Sequence, residues 1–146
     1  MSVMDMAACI IYDTKRRGRA TEKIATWLAE GIRELSGRDA AVKRPWEVGD
    51  LKYELIVIGS PIYCGRPMGS IERFLKSRRG DLEGRKVALF TVCLFKFLGR
   101  RCLRHLRDLL PTPPSSERVF KGWLRRESLS TREGCLRWCK ELVGML

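Results

Sequence analysis

Histidine is almost missing from this chain of 146 residues: there is one, His105. A histidine-built metal centre is thereby excluded. Cys135 and Cys139, four apart on an expected helix, could share a metal, but no second Cys or His pair follows them to complete a tetrahedral set. The six cysteines, at 9, 64, 93, 102, 135 and 139, lie mostly among apolar neighbours and not at the spacings of a small secreted scaffold, so reduced thiols are expected. No apolar run approaches the ~18 residues that a membrane span needs. The segment Met1 to Met6 lacks the basic-then-apolar pattern of a secretion signal, and a cytoplasmic location is the expectation. Acidic residues are scarce, 17 against 29 lysines and arginines. Repeats and low-complexity segments are absent too, which leaves one ordinary globular domain over residues 1–146.

The charge of +12 will draw anionic partners from about a screening length away. The cations are scattered over helices and loops without a DNA- or RNA-binding motif, so nucleic acid is not the expected partner. Four arginines, Arg100, Arg101, Arg104 and Arg107, share one face of an expected helix opposite its leucines. That face is either solvated or a peripheral contact with an anionic membrane. His105 lies beside it, and nothing in the sequence places it near the strand ends.

Three apolar stretches, Met6–Tyr12, Leu55–Gly59 and Val87–Cys93, run without polar alternation, as strands do when helices cover both sheet faces. Ala40–Lys43 and Val119–Trp123 are weaker candidates. Between them lie helical periods: Ile24, Trp27, Leu28, Gly31, Ile32 and Leu35; Ile71, Phe74 and Leu75; Leu98, Cys102, Leu106, Leu109 and Leu110. A last helix is expected from about Thr131, with Leu136, Cys139, Val143 and Leu146 toward the sheet and Ser130 or Thr131 as its cap. Arg44–Tyr53, broken by Pro45 and Gly49, reads as a loop with at most one turn. The alternation predicts a three-layer α/β/α sandwich around a five-stranded parallel sheet.

Ligands of such sheets bind beyond the carboxyl ends of the strands. The loop after the first strand reads Asp13-Thr14-Lys15-Arg16-Arg17-Gly18-Arg19-Ala20-Thr21, two hydroxyls, a glycine and four cations leading into a helix N-terminus. It is an anion cradle, or a solvated basic turn with Thr21 as a mere cap. The loop after the third strand, Ser60-Pro61-Ile62-Tyr63-Cys64-Gly65-Arg66-Pro67, sets Tyr63 on a backbone made compact by Pro61 and Gly65 and suited to a flat heterocycle, although such a tyrosine more often serves as packing. The third loop reads Thr91-Val92-Cys93-Leu94-Phe95.

Ile11-Tyr12-Asp13-Thr14, Thr21-Glu22-Lys23-Ile24-Ala25 and Tyr53 through Tyr63 resemble segments of the flavodoxin family, and Phe120-Lys121-Gly122 with Leu129-Ser130 resembles its last strand and final helix approach. The branch most similar is that of menaquinone-dependent protoporphyrinogen oxidase, because the third loop lacks the acidic, Gly-rich loop of carrier flavodoxins. The resemblance implies strand order 2-1-3-4-5 and a bound flavin mononucleotide (FMN). It implies that Thr14, Gly18 and Thr21 with the intervening backbone hold the flavin phosphate, and that Pro61 to Gly65 and Thr91 to Phe95 flank the isoalloxazine. Tyr63 is then the ring partner, and the Cys64-Gly65 backbone meets the flavin N5. The turn from Thr14 to Thr21 is longer than the family pattern and lacks its middle hydroxyl; Arg16, Arg17 and Arg19 are the candidates to replace that contact.

The function implied is electron or hydride transfer by the flavin, toward an acidic redox protein, a quinone or a tetrapyrrole. The short third loop favours a carrier over an oxidase, and a flavin-free basic interaction module is the competing class. A response regulator is excluded by Gly59 and Ser60 where a phosphoacceptor carboxylate would stand. A low-molecular-weight phosphatase is excluded by Cys9 lying inside a strand.

Overall fold

The computed structural model describes residues 6–15, 19–123 and 126–146. Its elements follow in the order β1 (Met6–Tyr12), α1 (Ala20–Ser36), β2 (Asp39–Lys43), a 3-10 turn (Pro45–Glu47), β3 (Leu55–Tyr63), β4 (Arg66–Pro67), α2 (Gly69–Ser77), α3 (Arg79–Leu82), β5 (Lys86–Cys93), α4 (Lys96–Leu109), β6 (Ser116–Lys121) and α5 (Leu129–Val143). The parallel strands stand in the order β2-β1-β3-β5-β6, which is the expected 2-1-3-4-5 once the two-residue β4 is set aside. β4 folds back antiparallel on the end of β3, pairing Ile62 with Pro67 and Tyr63 with Arg66. Pairing with β5 carries β3 past Gly59 to Pro61, and the pairing with β4 takes it on to Tyr63.

Successive residues of a strand face opposite layers, and here both layers are apolar. Ala8, Ile10, Val57 and Phe90 pack with α1 and α5, whereas Cys9, Ile11, Ile58 and Leu89 pack with α2 and α4. Trp138 of α5 is fully buried, edge-on to Phe90 and Phe120, and its indole N–H donates to Ser116 Oγ at 2.8 Å. That bond lets polar Ser116 enter the core, so β6 begins at Ser116 and ends at Lys121, earlier than the apolar pattern around Val119–Trp123 suggests. Trp138 also sets the phase of α5. Cys135, Trp138, Cys139 and Leu142 face inward, Leu136 is left exposed, and the helix starts at Leu129 with Ser128 as its cap, accepting from Thr131 N at 3.2 Å. Leu35, expected on the buried face of α1, is exposed in that helix's last turn.

Five cysteines are buried and Cys64 is exposed, so one equivalent of a thiol reagent is expected to react quickly with the native chain and the rest only on unfolding. Burial pushes the Cys9 thiol up to about 11 and those of Cys135 and Cys139 up to about 12, from an ordinary 9.0. Thiols that ionise later in the folded chain contribute stability that is whole below pH 9 and is lost as pH rises toward 11 and beyond. Thermal melts across that window should show Tm falling with pH. A Tm that holds through it would show that these thiols are not desolvated.

Candidate functional site

The carboxyl ends of β1, β3 and β5 meet the N-terminus of α1 at a cleft of about 490 Å3, a size at which small-molecule sites occur. Thr14, Lys15, Arg19, Ala20 and Thr21 form one side of it; Pro61, Ile62 and Tyr63, then Val92, Cys93 and Leu94, form the others, with Gly122 and Trp123 completing the rim. The position follows from the sheet order, since the crossovers from β1 and β3 leave on opposite faces and part there.

At its α1 end the cleft has the chemistry of an anion site. The cap residue of α1 is Arg19, in extended conformation and making no side-chain cap bond of its own, and the positive end of the helix borders the cleft. Thr21 is the second residue inside the helix, which overturns the reading of it as a mere cap. Two hydroxyls, Thr14 and Thr21, and two cations, Lys15 and Arg19, border the same space. Such donors suit a phosphate.

The other end suits a flat ring. Tyr63 and Trp123 are its aromatic walls, Trp123 being backed by Trp27 at a ring distance of 5.5 Å. Tyr63 is tied to the first loop: its hydroxyl lies 3.3 Å from Thr14 Oγ1 and accepts from Lys15 N at 3.4 Å, while the Lys15 ammonium stands 4.6 Å from the ring centre. The loops after β1 and β3 are thus in contact.

Asp13 anchors the floor. Its carboxylate is buried and accepts from Thr14 N at 2.8 Å, Arg44 Nη1 at 2.8 Å and Ser70 Oγ at 2.5 Å. Arg44 in turn lies over the Tyr12 ring at 4.7 Å. This network joins the end of β1 to the 3-10 turn and to α2. Sequence reasoning missed the role of Asp13, and it missed Gly122 and Trp123 at the rim. The first has a signal, an acid opening a loop of cations; the last two have none, because only the tertiary arrangement brings the end of β6 to the cleft.

Several expected site residues stand elsewhere. Ser60 is fully buried, donating to Pro61 O at 2.7 Å and accepting from Met68 N at 2.8 Å, and Thr91, also buried, donates to Gly99 O at 3.1 Å. Both hold backbone in place. Phe95 points away from the cleft, exposed beside Phe97. Cys64, in a left-handed conformation with φ 52°, and Gly65 border a neighbouring hollow of about 400 Å3 with Glu72, Arg101, Cys102 and His105. His105, 3.3 Å from Glu72, therefore does approach the tip of the β3 loop, contrary to the sequence expectation. Arg16, Arg17 and Gly18 lie outside the described residues. Among the described residues no group of three or more His, Cys, Asp and Glu side chains could hold a metal, and no helix is long and apolar enough to cross a membrane.

The sequence profile of the flavodoxin domain family matches residues 9–133. The chain belongs to that family. No curated protein sequence matches it. Among solved structures it is similar to oxidised flavodoxin 1 from Bacillus cereus, with a TM-score of 0.70, 18% identity, and coverage of 95% of this chain and 97% of that one. It is similar also to an apo NADH:FMN oxidoreductase, with a TM-score of 0.75, 13% identity, and coverage of 95% and 89%. A third is rubredoxin oxygen:oxidoreductase from Desulfovibrio gigas, with a TM-score of 0.68 and 15% identity; 94% of this chain matches 35% of that larger protein. These likenesses establish the three-layer fold, and with the family match they define a flavin redox protein in general terms.

Proposed function

We propose that the chain is an FMN-binding electron carrier. The observation that carries this reading is the cleft itself, where a helix N-terminus with two hydroxyls and two cations adjoins a space walled by Tyr63 and Trp123. Thr14, Lys15, Arg19, Ala20 and Thr21 would hold the phosphate. Pro61, Ile62, Tyr63, Val92, Cys93, Leu94 and Trp123 would border the isoalloxazine. When bound, FMN supplies the electron-accepting ring, and this chain's residues bind, orient and shield it.

The protoporphyrinogen oxidase alternative would need walls for a large tetrapyrrole. Two residues, Leu94 and Phe95, separate β5 from α4, which leaves little chain to build them. That economy supports a carrier, acting in the cytoplasm between a reductase and an acceptor. The flavin-free module remains the reading to which a failed titration would point.

Titration of the purified chain with FMN tests this. Tight binding with quenched flavin fluorescence is expected, and Thr21→Val should weaken FMN ~10–100-fold, the worth of a hydrogen bond to a charged group, while leaving riboflavin, which lacks the phosphate, unchanged. A chain that ignores FMN, or a variant that weakens both ligands equally, overturns the assignment. Anaerobic reductive titration of the loaded protein then separates one-electron carrier from two-electron oxidase.

A further inference from the structure

Helix α4 carries more positive charge than its own fold can use. Lys96, Arg100, Arg101, Arg104 and Arg107 fall on it against a single acid, Asp108, and its first turn, at the positive end of the helix dipole, has no acidic residue. Lys96 with Arg100, and Arg100 with Arg104, are like-charge pairs four apart, each unfavourable by about 0.2–0.5 kcal/mol. Arg107 is bound by Glu117 of β6. Among the described residues Lys96, Arg100, Arg101 and Arg104 have no ion-pair partner, and all four are exposed. Folding therefore gives no reason for this helix to be so basic, and an external anion does.

Two further features say where that anion belongs. At the start of α4 an apolar knob protrudes, with Phe95 60% and Phe97 68% exposed and their rings 6.2 Å apart, directly after Leu94 of the cleft wall. Beside the helix a groove of about 470 Å3 runs between α4 and β6, where Lys96, Arg100, Arg104, Arg107 and Arg118 surround a single acid, Glu117, which Arg107 binds. Exposed aromatic and arginine side chains grouped in this way are the composition of protein interfaces. A planar bilayer would meet the knob but not the concave groove, whereas an acidic protein surface can fill both.

We propose that the knob and basic face of α4 dock an acidic redox protein, holding it at the mouth of the flavin cleft. The redox part of this rests on the FMN reading above; the docking part does not. A reduced iron–sulfur protein seated there would pass one electron to the flavin, its own iron being oxidised, with no bond made or broken.

The test is calorimetric titration with an acidic plant-type [2Fe–2S] ferredoxin, run on the chain with and without FMN. Binding is expected at low salt and should be lost at ~0.5 M salt, where the screening length falls to a few ångströms. The double variant Arg100→Gln/Arg104→Gln should weaken it ~10-fold or more, and Phe97→Ser ~5-fold, with FMN affinity unchanged in both. Failure of the wild-type chain to bind ferredoxin at low salt overturns the docking proposal. So does full binding by both variants, or tighter binding through the same residues to phosphatidylglycerol vesicles. Ferredoxin binding to a chain that takes up no FMN would instead sustain the docking surface and remove the flavin reading.

Discussion

Replacing Gly59 by alanine is expected to destabilise the chain by about 3 kcal/mol, the upper part of the range for overpacking a well-filled core. Gly59 and Phe90 are partners across β3 and β5, and the Phe90 ring lies over the glycine, so an added methyl would collide with three of its ring carbons. The ring cannot swing aside cheaply. It is fully buried and packed edge-on against Phe120 and Trp138, with centroids 5.9 and 6.1 Å away. For a domain of this size the loss should appear as a fall in Tm of about 6–12 °C. The double variant Gly59→Ala/Phe90→Leu provides the control, since a smaller partner makes room and should recover part of the loss through a favourable coupling. A single variant that melts with the parent would mean that the Phe90 ring is not held where it is described.

Asp13→Ala should cost a similar amount, about 3 kcal/mol, by another route. Three donors lose their acceptor at once, and the Arg44 guanidinium, largely buried between Asp13 and the Tyr12 ring, is left as an unpaired charge. Because Thr14 N is one of those donors, the cradle should loosen with it and FMN affinity should fall alongside Tm. Two companions separate charge from hydrogen bonding. Asp13→Asn keeps acceptors and should lose less, while Asp13→Ala/Arg44→Met removes both ions and should regain most of the stability. If the double variant melts no higher than Asp13→Ala, the unpaired charge is not the cause.

These two sites show different degrees of legibility in the sequence. The strands β1 and β5 are written in uninterrupted apolar runs, and β1 was readable to its ends, because a strand covered on both faces must be apolar at every position. The last strand was misplaced by three residues at its start, since Ser116 is buried only by virtue of the indole N–H that reaches it from α5, twenty-two positions later. Likewise the inward face of α5 could not be phased from periodicity, with apolar residues on several sides; the bulk of Trp138 decided it. Ser60 and Thr91, expected among the residues of the two loops around the ligand, each satisfy a nearby backbone group instead.

What the sequence determined by itself, then, is the alternation of buried strands and amphipathic helices, the parallel sheet that follows from it, and the chemistry of the loop that opens α1. These depend on local composition, which a linear reading contains. Only the tertiary structure decided that Trp123 joins Tyr63 in lining the cleft, that Asp13 is spent on Arg44 and Ser70, and that Phe95 is exposed beside Phe97. Each of those outcomes is a competition for partners between segments far apart in the chain, and the winner is set by which groups the folded sheet brings within reach.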